Sequence, residues 1–238
     1  MKYEKYALIT GGTSGIGLAI AKALAMKKVK IIIIGRTKKA LDRVLLEINP
    51  LTKCIGIKLD LKQINKIDAT IRKNLSTFYK IDYVFNCAGI ASFDSIVNTN
   101  YKLIRDIYHV NTIVPLLIIK ATLPWVKLST KPIIVNISSN QSIINSQYNA
   151  VYGSSKCAIN HYTRSLNLEL KVYKIKVFTF APGPVKTKML VRVLNDLNIN
   201  QIPEEAISPE ELANFILRYI HSKKPQGVFF TNKELINE

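Results

Sequence analysis

Short runs of apolar, mostly β-branched residues alternate with longer helix-like segments along this 238-residue chain. The run Ile31-Ile32-Ile33-Ile34 is the clearest, because a strand that is buried on both faces is apolar at every position. Strands of this kind, each followed by a helix, predict a parallel sheet with helices on both faces. The predicted strands are residues 6–10, 30–35, 53–59, 81–86, 132–138, 176–181 and 227–231.

Six helices are predicted between these strands, at residues 15–26, 38–48, 63–78, 101–128, 151–173 and 209–221. The last has a clear start signal: Ser208 as N-cap, Pro209 in the first turn and Glu211 closing a capping box. The chain has no linker and no internal repeat, and its length is sufficient for a sizeable core. We therefore predict a single α/β domain over residues 1–238, with a doubly wound, seven-stranded parallel sheet.

A glycine-rich turn joins the first predicted strand to the first predicted helix. Its sequence is Thr10-Gly11-Gly12-Thr13-Ser14-Gly15-Ile16-Gly17. Glycines allow a tight turn close to a ligand, and the amino terminus of the helix offers free N–H groups to phosphates. A strand, a turn and a helix in this order predict a dinucleotide-binding loop, although the glycine spacing is not the commoner G-x-G-x-x-G. A βα turn without a ligand is the alternative for this segment taken alone.

A tyrosine and a lysine four residues apart, Tyr152 and Lys156, would share one face of the predicted helix 151–173. A nearby positive charge favours the ionised form of a phenol, which makes it usable as a proton donor and acceptor near neutral pH. Ser139 lies 13 residues before the tyrosine, just past the fifth strand, and Ser138 is the competing serine. Taken alone, Lys156 is better explained as an ordinary surface lysine.

Two further motifs follow predicted strands. They are Asn86-Cys87-Ala88-Gly89 and Pro182-Gly183-Pro184-Val185-Lys186-Thr187. The first is similar to the N-A-A-G motif of the short-chain dehydrogenase/reductase family, with Cys in place of the first Ala, and the second resembles its P-G-x-x-x-T segment. With the turn, Tyr152 and Lys156, these motifs span residues 10–187. The chain is thus identified as a member of the compact single-domain branch of this family, which implies a Rossmann-like fold.

The resemblance implies an oxidoreductase that interconverts a carbonyl and an alcohol with a nicotinamide cofactor. Tyr152 would exchange a proton with the substrate oxygen, and Lys156 would lower the pKa of Tyr152 and bind the nicotinamide ribose. The spacing that the family uses favours Ser139 over Ser138 as the residue that orients the substrate. Asn111, in the long predicted helix, would hold a relay water; its alternative is a helix-kink asparagine.

Cofactor selectivity is predicted from the end of the second strand. Arg36 stands where an NAD-selective site has a carboxylate, and a guanidinium accommodates a 2′-phosphate, so NADP(H) is favoured. Ser14 occupies a position that is often basic in NADP-preferring relatives, so NAD(H) stays possible. Asp60 would contact the adenine or form a strand-terminal turn. The cofactor-binding residues implied are Gly11, Thr13, Ser14, Gly15, Ile16, Gly17, Arg36, Thr37, Asp60, Asn86, Ala88, Gly89, Tyr152, Lys156, Pro182, Gly183, Val185 and Thr187.

The net charge of +18 favours anionic partners, such as a phosphorylated cofactor, an acidic carrier protein or nucleic acid. The lysines are dispersed, so nucleic acid is not expected as the main partner. Cys54, Cys87 and Cys157 have no metal-ligand or C-x-x-C spacing, which predicts reduced thiols in a cytoplasmic protein without a metal site. No apolar run reaches 18 residues, so neither a transmembrane helix nor a membrane partner is predicted, and a signal peptide is not expected.

The substrate pocket is weakly encoded. Its expected lining, by position, is Ile90, Ala91, Phe93, Gln141, Ile143, Gln147, Tyr148 and the stretch 186–207, which forms a mobile flap in the family. Most of these residues are apolar or neutral, which favours a neutral carbonyl compound. Reduction of a 3-oxoacyl group on a carrier protein is an alternative, which the carboxyl-terminal sequence after residue 230 weakens. A non-catalytic dinucleotide sensor or scaffold is an alternative of a different class. The resemblance also implies a homodimer or homotetramer.

Overall fold

A sheet of seven parallel strands forms the centre of the protein. The computed structural model describes residues 4–222 and 227–231, so the carboxyl-terminal sequence used above is described only as far as residue 231. The strands are β1 Tyr6–Thr10, β2 Lys30–Gly35, β3 Cys54–Lys58, β4 Tyr83–Asn86, β5 Ile133–Ile137, β6 Lys176–Pro182 and β7 Gly227–Thr231. Their order is β3-β2-β1-β4-β5-β6-β7, and every neighbouring pair is parallel. The predicted fold class is confirmed, and each strand end lies within two residues of its predicted place.

Helices cover both faces of this sheet. They are α1 Gly15–Met26, α2 Lys38–Ile48, α3 Ile67–Leu75, α4 Tyr101–Tyr108, α5 Val114–Val126, α6 Ala150–Glu169, α7 Lys188–Asp196 and α8 Pro209–Ile220. In β2, Ile31 and Ile33 pack on the face covered by α1, α2 and α8, whereas Ile32 and Ile34 pack on the face covered by α3 and α5. The continuous isoleucine run is thus explained by burial on both faces.

Three predicted helices differ from the structure. The predicted helix 63–78 is a short 3-10 turn, Ile64–Lys66, followed by the nine-residue α3. The predicted helix 151–173 ends as an α-helix at Glu169 and continues as a 3-10 turn, Lys171–Tyr173. The predicted helix 101–128 is α4 and α5 joined by a π-helical turn, His109–Ile113. By contrast, the capping box at α8 is present: the Ser208 hydroxyl accepts the Glu211 N–H, and the Glu211 carboxylate accepts the Ser208 N–H.

The segment Tyr101–Val126 is long and apolar enough to cross a membrane by length and composition alone, with a mean hydropathy of 1.3. Half of its most apolar window is buried inside the domain, and a core helix of a globular protein passes the same test. Its α5 part contributes Val114, Ile118 and Ile119 to the core beside α3. Packing within the domain therefore accounts for the buried half of this apolar segment.

A chain of polar side chains crosses the interior from β4 to β6. The Asn86 amide donates to Asn136 Oδ1 on β5 (2.9 Å), and the Asn136 amide donates to the Thr163 hydroxyl on α6 (3.2 Å). The Thr163 hydroxyl and the Thr179 hydroxyl on β6 are 2.6 Å apart. Buried amides and hydroxyls are costly unless they are hydrogen-bonded, so this chain fixes α6 against the sheet.

Candidate active site at the carboxyl ends of the strands

The glycine-rich turn packs directly against the end of β4. Gly11 and Gly15 have φ values of +65° and +53°, in the left-handed region that favours glycine. A Cβ on Gly11 would lie 2.8 Å from the main-chain nitrogen of Ala88. The Thr10 hydroxyl accepts the N–H groups of Cys87 and Ala88, each at 3.2 Å. The two predicted motifs 10–17 and 86–89 therefore lie side by side.

The amino terminus of α1 fits the pyrophosphate of a dinucleotide. Ser14 has the extended backbone of an N-cap residue, but its side chain makes no capping hydrogen bond with a described residue. The first turn of α1 has no acidic side chain. Its N–H groups and the positive end of the helix dipole are thus available to an anion. A Cβ on Gly17 would lie 2.6 Å from the Gly11 carbonyl oxygen, which shows how tightly the turn closes.

The side chains of Tyr152 and Lys156 are buried where α6 meets β5. Tyr152 is 8% exposed and Lys156 is 5% exposed. Lys156 Nζ donates to the carbonyl oxygen of Ile137 at the end of β5, at 2.9 Å, and lies 5.9 Å from the centre of the Tyr152 ring. The Ser139 side chain is close enough to the Tyr152 phenol to lower its pKa through a hydrogen-bonding interaction. The three predicted residues are therefore brought together.

The two neighbouring serines have different surroundings. The Ser138 hydroxyl donates to the main-chain carbonyl of Lys156 at 3.0 Å, which fixes it as a buried contact between β5 and α6. The Ser139 hydroxyl donates to Asn140 Oδ1 (3.3 Å) and accepts the Gln141 N–H (3.2 Å), and the same side chain lowers the pKa of Tyr152. Of the two serines, Ser139 is the one whose side chain acts on the pKa of the phenol.

Burial shifts the pKa values of both Tyr152 and Lys156. It raises the pKa of Tyr152 above its ordinary value of 10.0, and the hydrogen bond to Ser139 opposes this only in part. Burial lowers the pKa of Lys156 from 10.5 to about 8, because it penalises the charged ammonium. Lys156 is not among the causes of the shift at Tyr152, so its expected lowering of the phenol pKa stays a prediction. The ammonium hydrogen-bonds to the Ile137 carbonyl, and desolvation dominates at the phenol.

Asn111 lies fully buried in the π-helical turn between α4 and α5. Its amide donates to the Ile90 carbonyl (2.8 Å) and to the Ser155 hydroxyl (3.0 Å), and its Oδ1 accepts the Ile90 N–H (2.8 Å). A Cβ on Gly89 would lie 3.4 Å from Asn111 Oδ1 and 3.5 Å from Lys156 Nζ. Since both amide hydrogens are used, a relay water on this side chain would have to bind the remaining lone pair of Oδ1.

An apolar cluster covers Tyr152. Ala91, Tyr152 and Val193 are its buried members, and Phe93, Met189 and Leu197 pack against them. The Phe93 and Tyr152 ring centres are 5.4 Å apart. Helix α7, which was not predicted, carries Met189 and Val193, and Leu197 follows its last residue. The spacing of these three residues is a helical signal that could have identified the helix.

Arg192 joins this helix to the loop after β4. Its guanidinium donates to the Ala91 carbonyl oxygen at 2.7 Å, although the two residues are 101 positions apart. At the start of α7, the Thr187 hydroxyl accepts the Leu190 N–H at 3.3 Å, and a Cβ on Gly15 would lie 3.1 Å from Thr187 Cγ2. The predicted flap is thus in contact with both the β4 loop and the glycine-rich turn.

The remaining predicted cofactor residues lie around the same edge of the sheet. Arg36 is exposed just past β2, and the Thr37 hydroxyl caps α2. Asp60 Oδ1 accepts the Lys62 N–H at 3.0 Å, so this side chain forms the turn that was the alternative interpretation; its contact with an adenine stays a prediction. The Asn86 amide is directed at Asn136 within the sheet, and its contact with a cofactor stays a prediction. Pro182 ends β6, Gly183 follows it, and Val185 pairs with Ile207 in an isolated bridge.

Comparison with known proteins identifies the family. Residues 5–198 match the model of the short chain dehydrogenases. The chain belongs to this family.

Among residues 4–222 and 227–231, no three His, Cys, Asp or Glu side chains come together as a group that could hold a metal.

Curated relatives include enzymes of this family from bacteria and animals. An uncharacterized oxidoreductase of Staphylococcus epidermidis is 33% identical over 186 residues, which cover 78% of this chain and 80% of the relative. Carbonyl reductase family member 4 of Xenopus laevis is 28% identical over 220 residues, with 92% of each chain covered. Oxidoreductase chemistry of the family type is therefore shown for this protein.

Solved structures share the fold. An alcohol dehydrogenase from the archaeon Thermococcus sibiricus, complexed with 5-hydroxy-NADP, has a TM-score of 0.86 at 22% identity, with 98% of each chain covered. A short-chain dehydrogenase from Sphingobium yanoikuyae, in complex with NADPH, has a TM-score of 0.84 at 24% identity, covering 95% of this chain and 87% of the other. At these identities the likeness establishes the architecture alone.

Proposed function

We propose that this protein is an NADP(H)-dependent oxidoreductase that interconverts an apolar carbonyl compound and the corresponding alcohol. The observation that carries the proposal is the buried set of Ser139, Tyr152 and Lys156, placed beside a glycine-rich turn that fits a dinucleotide. When bound, the nicotinamide cofactor supplies or accepts the hydride. The protein binds and orients the reactants and moves the proton.

In the direction of reduction, the Tyr152 hydroxyl gives its proton to the substrate oxygen, and the Ser139 hydroxyl donates a hydrogen bond to the same oxygen. The phenolate left on Tyr152 must then regain a proton. Lys156 is suited to supply it, because burial brings the pKa of its ammonium to about 8, so the group can release a proton close to neutral pH. In oxidation the same proton travels in reverse.

The wall around Tyr152 favours an apolar substrate. The described members of the cluster that covers the phenol are aliphatic, aromatic or thioether side chains. Burying a charged substrate group against these apolar side chains would cost desolvation, which favours a neutral substrate. The carrier-protein alternative has no specific support from the relatives named above. A non-catalytic sensor would not need the buried Tyr152 and Lys156 pair.

Replacement of Tyr152 by Phe tests the catalytic proposal. Turnover of any accepted apolar ketone or alcohol, followed by NADPH absorbance, is expected to fall roughly 10²- to 10⁴-fold, while cofactor affinity changes little. Tyr162→Phe is a matched control on the same helix, because the buried Tyr162 hydroxyl has no hydrogen-bond partner among the described residues. Turnover of Tyr152→Phe within about twofold of wild type would contradict the assignment.

Replacement of Arg36 by Asp tests the cofactor proposal. A guanidinium makes charge-assisted hydrogen bonds to a phosphate, and one or two of them predict roughly tenfold to several-hundredfold preference for NADPH over NADH. Arg36→Asp removes this attraction and adds repulsion, so the ratio of kcat/KM values is expected to reverse. A wild-type enzyme that uses both cofactors equally would show that Arg36 does not bind the phosphate.

A further inference from the structure

A second arginine contacts the glycine-rich turn. Arg43 lies on α2, and its Nη2 donates to the carbonyl oxygen of Thr13 at 2.6 Å. The methyl group of Thr13 in turn lies against the end of β2, where a Cβ on Gly35 would be 2.7 Å from it. Arg36 follows Gly35 directly, and Ser14 follows Thr13. The turn and the end of β2 are in contact at a junction of Thr13 and Gly35. Arg36 is next to this junction on the strand side, and Arg43 bonds to it on the turn side.

The positive charge of Arg43 is only loosely balanced by the protein. Its Nε lies 3.7 Å from Glu47 Oε1, which is beyond hydrogen-bond distance, and the other oxygen of Glu47 is 2.6 Å from Lys22 Nζ. The Arg43 side chain is 52% exposed. Of the other charges nearby on α2, Asp42 pairs with Lys38 at 2.9 Å. Residues 36–47 contain four basic and two acidic side chains, so the junction keeps a net positive charge that an anion can neutralise.

We propose that Arg43 is a second binding residue for the 2′-phosphate of NADP(H), acting with Arg36. A guanidinium has five N–H donors in a rigid fork, and the bond to Thr13 uses one of them. Together, the guanidinium groups of Arg36 and Arg43 would supply the charge and the paired donors that a phosphate dianion requires. Arg43 thereby provides from α2 the positive charge that Ser14 does not provide from the turn. This inference rests on the proposed function.

The alternative role for Arg43 is mechanical. Its bond to the Thr13 carbonyl could simply brace the turn, and loss of the brace would weaken every dinucleotide alike. A phosphate-binding role, by contrast, predicts a loss confined to ligands with a 2′-phosphate. Comparing ligands that differ only in that group separates the two roles without any catalytic assay.

The experiment measures dissociation constants by titration calorimetry for NADP⁺, NAD⁺, 2′,5′-ADP and 5′-ADP. The proteins are the wild type, Arg43→Gln, Arg43→Lys and the control Arg72→Gln, which removes an arginine paired with Asp68 on α3. For Arg43→Gln we expect NADP⁺ and 2′,5′-ADP to bind roughly tenfold to a hundredfold more weakly, and NAD⁺ and 5′-ADP to change by less than about twofold. Arg43→Lys keeps the charge but lacks the paired N–H donors, so we expect a smaller loss of affinity that is again confined to the ligands with a 2′-phosphate. This variant provides the test if Arg43→Gln does not fold.

Each outcome is decisive. Equal weakening of all four ligands, or unchanged binding of NADP⁺, overturns the role of Arg43 and leaves the proposed function standing. A wild-type protein that binds neither dinucleotide overturns the proposed function and this inference with it. An equal loss in Arg72→Gln would attribute the effect to net charge and would likewise overturn the assignment.

Discussion

Lys156 carries a cost in stability that can be measured without a substrate. The side chain is 5% exposed, and Nζ bonds to the Ile137 carbonyl. Lowering its pKa from 10.5 to about 8 corresponds to about 3 kcal/mol of penalty on the charged form. We therefore consider Lys156→Met, which keeps the length of the side chain and removes the charge.

The sign and the pH window follow from the direction of the shift. The folded pKa lies below the unfolded one, so between about pH 8 and 10.5 the unfolded chain binds more protons at this site. The free energy of unfolding of the wild type should therefore rise by about 3 kcal/mol relative to Lys156→Met across that window. Below about pH 8 the difference should be constant, because both states are protonated. Below about pH 8, removing the buried charge should stabilise the variant by about 3 kcal/mol. Leaving the Ile137 carbonyl unpaired offsets about 1 kcal/mol or more of this stabilisation, so the variant is expected to be up to about 2 kcal/mol more stable than the wild type.

The assay is urea denaturation of the cofactor-free proteins from pH 7 to 10.5, which yields the free energy of unfolding at each pH. Subtracting the free energy of unfolding of one protein from that of the other cancels the contributions of all other titrating groups. Lys39→Met, at an exposed position of α2, is the control and should give a flat difference from wild type. A flat difference for Lys156→Met as well would refute the reasoning, because it would mean that folding does not change the titration of Lys156.

Three further predictions concern the turn, the flap and assembly. Gly11→Ala is expected to destabilise the fold by about 1–3 kcal/mol and abolish dinucleotide binding, as measured by denaturation and calorimetry, because φ is +65° and the new Cβ would lie 2.8 Å from Ala88 N. Arg192→Gln should raise KM for the substrate with cofactor affinity unchanged, because it removes the 2.7 Å bond from α7 to Ala91; an unchanged KM would mean that the bond does not hold the flap. The family implies assembly through α4, α5 and α6, so light scattering should give a multiple of 26.8 kDa at micromolar concentration, and a mass of one chain would count against this.

The fold was predictable because its signals are local. The isoleucine run of β2 and the Ser208 and Glu211 capping box each depend on residues only a few positions apart, and both were confirmed. The π-helical turn at Asn111 was not predictable in this way. Its amide bonds to Ile90, 21 residues away, and that contact exists only once β4 and α5 are assembled.

The candidate site shows the same division between local and distant information. Tyr152, Lys156 and Ser139 were identified from spacing and motif. The directions of the pKa shifts of Tyr152 and Lys156 were not predicted, because they depend on how deeply the packed domain buries these two side chains. Arg43 was not singled out, because nothing in its sequence neighbourhood indicates a bond to a carbonyl 30 positions earlier.

The polar chain from Asn86 to Thr179 favours a single register of the strands in the sheet. Much of the interior of β4, β5 and β6 is apolar, so a strand displaced by two residues would bury nearly the same apolar area. Such a displacement would separate Asn136 from both Asn86 and Thr163, and each unpaired buried amide costs about 1–3 kcal/mol. We therefore expect the amides to act against misaligned sheets during folding, so that α6 reaches its place only when the strands beneath it are aligned correctly.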